Sequence, residues 1–271
     1  MDIIDSPYKG RLRGRSLLLS ASLPTAERAE TYRRIEAAEI IEEAVVSLAR
    51  AVFSEGGTLV FGGHPTISPL VALVVREYVT PPVAESFQGG MEREWQGPRV
   101  EIYQSEAYRE QITEATLRLK RQPVVTVHWV EAVDGEVADP DVRDRPQAKQ
   151  SLRRMRVEMV KRSDLLGMVC IGGMEGVEEE MELFHEHQAR LPVFAVESTG
   201  GAAAKLARRA GDEQWVLTPE QGVRQRVEAF WREEKERRAY GQEQEASPSF
   251  AFPYAYIAQK IVAELINPNE R

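Results

Sequence analysis

The sequence has one cysteine, Cys170, and so cannot form a disulfide within the chain. That excludes the small disulfide-stapled scaffolds of secreted proteins and fits a reducing, cytoplasmic compartment. Cys170 lies inside an apolar run, where a thiol packs as a small hydrophobe, whereas reactive cysteines sit in exposed electropositive surroundings. No apolar run approaches the roughly 18 residues of a membrane span. Leu17-Leu18-Leu19 is too short for a signal-peptide core, and no cleavage pattern follows it. An excess of positive charge is also missing. The formal net charge of −8 disfavours nonspecific nucleic-acid binding, although a nucleotide ligand needs only a local nest of donors. No Gly-x-Gly-x-x-Gly follows the first strand, and no Gly-x-x-x-x-Gly-Lys-[Ser/Thr] occurs anywhere, which disfavours a Rossmann dehydrogenase and a P-loop NTPase. The Gly-x-Ser-x-Gly elbow is absent. The four histidines have no zinc spacing, and His185 and His187 diverge on a helix, so neither metal nor cofactor is expected.

Strand and helix signals do alternate along the chain. At 271 residues, with 42% hydrophobic and 29% charged content, it suits one large α/β domain with a modest extension. Residues 1–14 carry Lys9, Arg11 and Arg13 without periodicity and read as a flexible tail. Ser16 to Ser22 reads as a buried strand closing on small hydroxyl residues, which leave room for a ligand or simply turn the chain. Further strands are expected at 58–61, 99–103, 123–129, 165–171 and 191–196. Helices are expected through Ile41, Val45, Leu48 and Val52, after Thr66 or Ser68, over 105–121 and 148–162, from Glu175, and after Gly200-Gly201. Residues 80–97 read as a surface loop and 131–147 as a loop able to serve as a lid. Residues 219–240 read as a charged helix and 241–249 as a linker. Tyr254, Ile257, Ile261 and Leu265 mark an amphipathic helix that docks back. The fold expected is α/β: a Rossmann-like three-layer sandwich with a mainly parallel sheet over 15–210, plus a C-terminal helical extension over 211–271 packing on the same domain.

The candidate site centres on Asp164 to Glu180, where an apolar strand meets Gly172-Gly173-Met174-Glu175-Gly176 and then an acidic helix. Similar strand–glycine–helix turns occur at 61–68 and 196–202, and parallel strands put all three on one sheet edge. Such turns suit phosphate, because backbone N–H groups meet there beside a helix N-terminus; the plainer reading is three ordinary βα turns. Candidate ligand-binding residues are Ser20, Ser22, Gly62, Gly63, His64, Thr66, Gly172, Gly173, Met174, Glu175, Gly176, Ser198 and Thr199. Arg153, Arg154, Arg156, Lys161 and Arg162 read as a solvated basic face, or as the source of one arginine that bridges a phosphate. Glu178 and Glu179 suit the helix dipole or solvent. Glu180 shares a face with Val177, Met181 and Phe184, which asks for a partner.

Glu158-Met159-Val160-Lys161-Arg162-Ser163-Asp164, the strand, and Gly172 to Glu180 together resemble the signature of the SLOG superfamily. That superfamily spans DprA-like DNA-processing proteins and the LOG nucleotide phosphoribohydrolases, with Rossmann-like sites and, in LOG enzymes, dimers. The LOG pattern has an arginine on the preceding helix and a Pro-Gly-Gly-x-Gly-Thr-x-x-Glu turn. Here Ile171 stands for the proline, the turn is one residue longer, and Val177 replaces the phosphate-binding threonine. Glu180 falls at the catalytic glutamate, and Met155 falls at the arginine, flanked by Arg154 and Arg156. The turns at Ser20-Ala21-Ser22 and Phe61 to Pro65 are similar to SLOG domains of bacterial conflict systems. This likeness implies a cytoplasmic, homodimeric sensor of a nucleotide or an NAD- or ADP-ribose-derived signal in antiphage defence. In it Arg154 or Arg156 neutralises phosphate and Glu180 accepts from ribose hydroxyls. The likeness to LOG enzymes implies instead an N-glycosidase in which Glu180 activates water or stabilises an oxocarbenium-like sugar. A third reading is a ligand-free interaction subunit that uses the C-terminal helices.

Overall fold

Three consecutive leucines, Leu17, Leu18 and Leu19, open the first strand, and all three are buried. A strand buried on successive residues must be covered on both faces, so it belongs in the middle of a layered parallel sheet. The computed structural model, which describes residues 10–23, 37–78, 97–139, 141, 147–223 and 252–267, places it there. The strands are β1 (Ser16–Ser22), β2 (Thr58–Gly62), β3 (Arg99–Ser105), β4 (Val125–Val130), β5 (Leu165–Gly172), β6 (Val193–Val196) and β7 (Val216–Leu217). The helices are α1 (Ala37–Ser54), α2 (Ile67–Val75), α3 (Glu114–Lys120), α4 (Lys149–Val160), α5 (Glu175–His187), α6 (Gly201–Ala207) and α7 (Tyr254–Ile266).

The sheet runs β4-β3-β2-β1-β5-β6-β7, and every pairing is parallel. Leu17, Leu19, Leu59, Phe61, Ile102, Val169 and Ile171 face one core with α1, α2, α3 and α7. Leu18, Val60, Met168, Cys170 and Val193 face the other with α4, α5 and α6. This is a Rossmann-like three-layer sandwich. The chain leaves β1 toward β2, reaches the β4 edge, then crosses back to place β5 on the other side of β1. The strand order therefore reverses at β1, and a ligand crevice is expected outside the C-terminal ends of β1 and β5. Among the described residues no helix is long and apolar enough to cross a membrane.

Four details differ from the sequence reading. Residues 219–222, expected to open the charged helix, form turns in which the Gln221 N–H donates to the Thr218 carbonyl at 3.0 Å. Residues 10–14, expected in the tail, form a turn in which Leu12 is buried, its N–H donates to the Glu55 carbonyl at 3.0 Å, and Arg11 pairs with Glu55. The helix expected over 105–121 is broken. Ser105 accepts from the Ala107 N–H to start a 3-10 turn over Glu106–Gln111, and Thr113 accepts from the Thr116 N–H to start α3 afresh. Each hydroxyl caps a new helical start and so interrupts the old one. β7, two residues long, was not expected. Residues 1–9, most of the 80–97 loop, Pro140 and 142–146 of the expected lid, 224–240 of the charged helix and the 241–249 linker lie outside the described residues.

Candidate ligand-binding site

A cavity of about 1000 Å³ opens where the switch point predicts a crevice. Ser20, Ala21 and Ser22 from β1, Gly62 to Pro65 after β2, Gln104 and Ser105 from β3, and Met174 to Val177 at the start of α5 surround it. α4 forms its wall. Met155 and Met159 fix the phase of α4 by burying into the core. With that face inward, Lys149, Leu152, Arg153 and Arg156 fall at i, i+3, i+4 and i+7 along the cavity. The start of α4 has an unusual cap. Ala148 is left-handed, and the Glu136 carboxylate accepts from both the N–H and the hydroxyl of Ser151, at 2.8 and 2.7 Å. These bonds hold the Glu136 pKa below the usual carboxylate value.

Glu180 is the hub. One carboxylate oxygen accepts from the Ser20 hydroxyl at 2.5 Å and the other from Arg156 Nε at 3.2 Å. Arg156 also pairs with Glu179, whose second oxygen is 3.7 Å from Arg153. The side chains of Glu180 and Arg156 are 13% and 14% exposed, so this charge network is partly withdrawn from water. Lower dielectric strengthens each contact and makes each partner costly to lose. Gly176 admits the guanidinium: a Cβ there would stand 2.9 Å from Arg156 Nη2.

His64 lines the same cavity. The Thr66 N–H can only donate, and it reaches His64 Nδ1 at 3.3 Å, so the ring carries its proton on Nε2; the Thr66 hydroxyl lies 2.8 Å from Nδ1. Burial lowers the His64 pKa to about 4. The unfolded ring, near 6.5, binds its proton more readily than the folded one. His64 therefore contributes stability that is whole above pH of about 6.5 and is lost as pH falls toward 4. His64→Asn keeps an acceptor for the Thr66 N–H and removes the titration. Urea midpoints at pH 7 and pH 5 should differ less in this variant than in the wild type.

The other expected site residues divide. Ser20, Ser22, Gly62, Gly63, His64, Met174, Glu175 and Gly176 line the cavity. Arg154, two residues from Arg156, points some 200° around the helix and pairs with exposed Glu131 at 3.4 Å. Gly172 and Gly173 form the floor of the turn rather than its rim. Gly173 has φ +85°, and a Cβ on it would strike Val177 at 2.2 Å, so only glycine lets α5 start there. The third glycine turn stands behind this second one. Thr199 accepts from the Gly172 N–H at 2.8 Å, and the Ala202 N–H donates to the Gly173 carbonyl at 3.0 Å. Ser198 bonds the Tyr254 hydroxyl of α7 at 2.7 Å. Glu220, buried, accepts from the Glu197 and Ser198 N–H groups, and burial raises its pKa. The turn at 196–202 thus braces the one at 171–177. Glu179, expected to suit the dipole or solvent, instead holds two arginines, and Glu178 pairs with Lys205 at 3.2 Å. Lys149, Gln104, Tyr108, Gln111, Thr113 and Thr116 also line the cavity and were missed. The i, i+4, i+7 spacing of Lys149, Arg153 and Arg156 was a readable signal for the first. Among the described residues, no group of three or more His, Cys, Asp or Glu is placed to hold a metal.

A model of the SLOG cluster3 family matches residues 31–221. The X-ray structure of TM1055, a target of the Northeast Structural Genomics Consortium, aligns at 14% identity with a TM-score of 0.43, over 72% of this chain and 81% of that one. No curated protein matches.

Proposed function

The chain belongs to the SLOG cluster3 family, and on that premise we propose that the cavity binds a nucleotide or an NAD- or ADP-ribose-derived molecule, with recognition rather than turnover as its task. The observation that carries this reading is the Ser20–Glu180–Arg156 constellation at the switch point of the sheet. Both oxygens of Glu180 are already oriented by protein donors, and each keeps a lone pair for a ribose hydroxyl. Arg156 presents a planar fork that suits phosphate. Val177, buried at the position of the phosphate-binding threonine in the LOG pattern, supplies no hydroxyl, which favours recognition over LOG-like hydrolysis. A sensor in bacterial defence or signalling, working as a cytoplasmic homodimer, belongs to the same reading; sedimentation tests the dimer.

A melting screen against nucleoside monophosphates, NAD and ADP-ribose, with product analysis of every hit, tests the proposal. Ligands that bind the folded state should raise the melting temperature by mass action and be recovered intact. The second reading, base release from a nucleoside monophosphate, draws on the same carboxylate, which Ser20 would aim at the sugar as it develops oxocarbenium character. Free base that disappears in Glu180→Gln would establish that reading and overturn binding without turnover.

Glu179 gives a further expectation. It occupies Arg156 and Arg153 as a phosphate would, so a ligand phosphate must displace it. Glu179→Gln should tighten phosphate-bearing ligands about fivefold, on the order of the 1 kcal/mol of a part-exposed ion pair. Calorimetric titration of both proteins measures this.

A further inference from the structure

The cavity is chemically two-ended. Its β1–α4–α5 end holds the charged network of Arg153, Arg156, Glu179 and Glu180. At the C-terminal end of β3 and in the turn beyond it, the lining is polar but uncharged: Gln104, Ser105, Tyr108, Gln111, Thr113 and Thr116. We propose that this neutral end is a nucleobase subsite, read by the carboxamides of Gln104 and Gln111 beside the Tyr108 ring. The proposal rests on the nucleotide reading and adds which part of the ligand lies where.

The hydroxyls here are spoken for. Ser105 and Thr113 cap helical starts, Thr116 bonds Thr113 at 3.0 Å, and the Tyr108 hydroxyl donates to the Gln147 carbonyl at 2.6 Å. The carboxamides differ. Gln111 Nε2 is buried with no hydrogen-bond partner. An unmet buried amide N–H is costly, so such a group is expected to find a partner in some state of the protein. Whichever way round its amide lies, Gln111 has one unpaired polar end, and its terminal torsion is soft enough to turn that end toward the cavity. Gln104 lies over Gly63, where a Cβ would come within 2.0 Å of its oxygen. Gly63 thus acts as the seat of a carboxamide. A carboxamide sets one donor face and one acceptor face side by side, which matches the amide or amidine edge of a base. Tyr108 and the neighbouring Ile112 supply the flat and apolar contacts that a base face takes. Among the residues that β3 and the turn beyond it give to the lining, none is charged.

Spacing agrees. β1 and β3 are separated by β2, so their C-terminal ends stand two strand spacings apart, roughly 10 Å. A mononucleotide laid along the sheet edge spans that gap, with ribose and phosphate by Glu180 and Arg156 and the base by Gln104 and Gln111. The cavity, at about 1000 Å³, lies at the upper end of small-molecule sites and exceeds what a sugar phosphate alone fills.

Calorimetric titration of the full chain with ribose 5-phosphate, AMP, GMP, CMP and UMP tests the proposal. At least one nucleotide should bind about tenfold or more tighter than ribose 5-phosphate, and the four bases should differ, since a site that pairs a base edge rejects edges that leave it unpaired. Gln111→Leu and Gln104→Leu should each remove most of that preference and leave ribose 5-phosphate affinity unchanged. Gln111→Glu, which replaces the donor with an acceptor, should reorder the bases even if a leucine variant folds poorly. Equal binding of all five compounds, or variants that keep the wild-type base order, would overturn the base subsite and leave the nucleotide reading intact. Failure of all five to bind, together with no stabilisation by NAD or ADP-ribose in the melting screen, would overturn both.

Discussion

Replacing Arg162 with alanine should lower the melting temperature by roughly 6–12 °C and leave ligand affinity at the cavity unchanged. Arg162 follows α4 and grips the N-terminal edge of the sheet, away from the strand ends that line the cavity. It binds Asp164 with both forks, at 3.0 and 2.8 Å, pairs with Glu101 on β3, and reaches the Tyr103 hydroxyl at 3.3 Å. Asp164 in turn accepts from the Ser16 hydroxyl at the start of β1, and Glu101 lies 2.8 Å from His128 on β4. One guanidinium thus ties β5, β1, β3 and β4 to the end of α4. Its side chain and that of Glu101 are each 17% exposed and that of Asp164 32%, so alanine leaves two partly desolvated carboxylates without their shared cation. Removing one partner of such a cluster costs about 3 kcal/mol after allowance for partial exposure. Burial works against the charge of Arg162, but the bonds to Asp164 and Tyr103 and the charge of Glu101 prevail and raise its pKa. Burial likewise works against Asp164, but Arg162 and Ser16 hold its pKa below the usual value. Its contribution is therefore present above pH of about 4 and fades as pH falls through the depressed folded value. The wild type and Arg162→Ala should converge in stability in strong acid. Arg162→Lys should recover only part of the loss, because an ammonium cannot serve Asp164 and Glu101 as a fork does.

Which parts of this architecture could be read from the chain follows from what each part needs. β1 and β5 are buried on both faces, so their apolar runs are continuous and legible. α1 and α7 repeat an apolar stripe because each packs one face only. The break between Glu106–Gln111 and α3 was not legible, since it depends on the hydroxyls of Ser105 and Thr113 outcompeting an otherwise continuous helix. The strand order was beyond local reading as well. Alternating strands and helices imply parallel pairing, but nothing in their periodicity says that the chain after β4 crosses to the far side of β1.

The site shows the same division. Gly62-Gly63 and Met174 to Gly176 announced their turns, because a sharp βα connection restricts side chains. The third turn carried the same signature for a different reason: Gly201 has φ +59°, and a Cβ on it would meet the Gly173 carbonyl at 2.5 Å. Glycine serves close backbone packing and ligand approach alike, so the residue type cannot separate a cavity rim from the buttress behind it. Arg154 and Arg156 were equivalent by composition and are distinguished by the phase of α4, which Met155 and Met159 set. Gln104 and Gln111 carry neither charge nor periodicity, and only the assembled sheet edge brings them beside the same space.

Arg156→Ala should weaken every phosphate-bearing ligand by about 30- to 150-fold, the 2–3 kcal/mol of a charge-assisted, two-pronged contact. The size of the effect follows from the groups that Arg156 faces. Glu179 and Glu180 share it, and Gly176 keeps the first turn of α5 open for its head group. With Arg153 beside Glu179, that arrangement balances two arginines against two glutamates until an anion arrives to replace Glu179. Alanine removes the cation and leaves two acids at the mouth of the site, so a phosphate loses its partner and meets repulsion as well. A lysine at 156 keeps the charge without the fork and should fall between the two. Arg156→Ala combined with Glu179→Gln relieves the repulsion but not the missing contact, so it should recover only part of the affinity. The cycle of wild type, both single variants and the double variant, titrated with one phosphate-bearing ligand from the screen, isolates the coupling between Arg156 and Glu179. A purely structural arginine predicts another pattern: Arg156→Ala would lower the melting temperature, the folded protein would bind as before, and Glu179→Gln would leave affinity untouched.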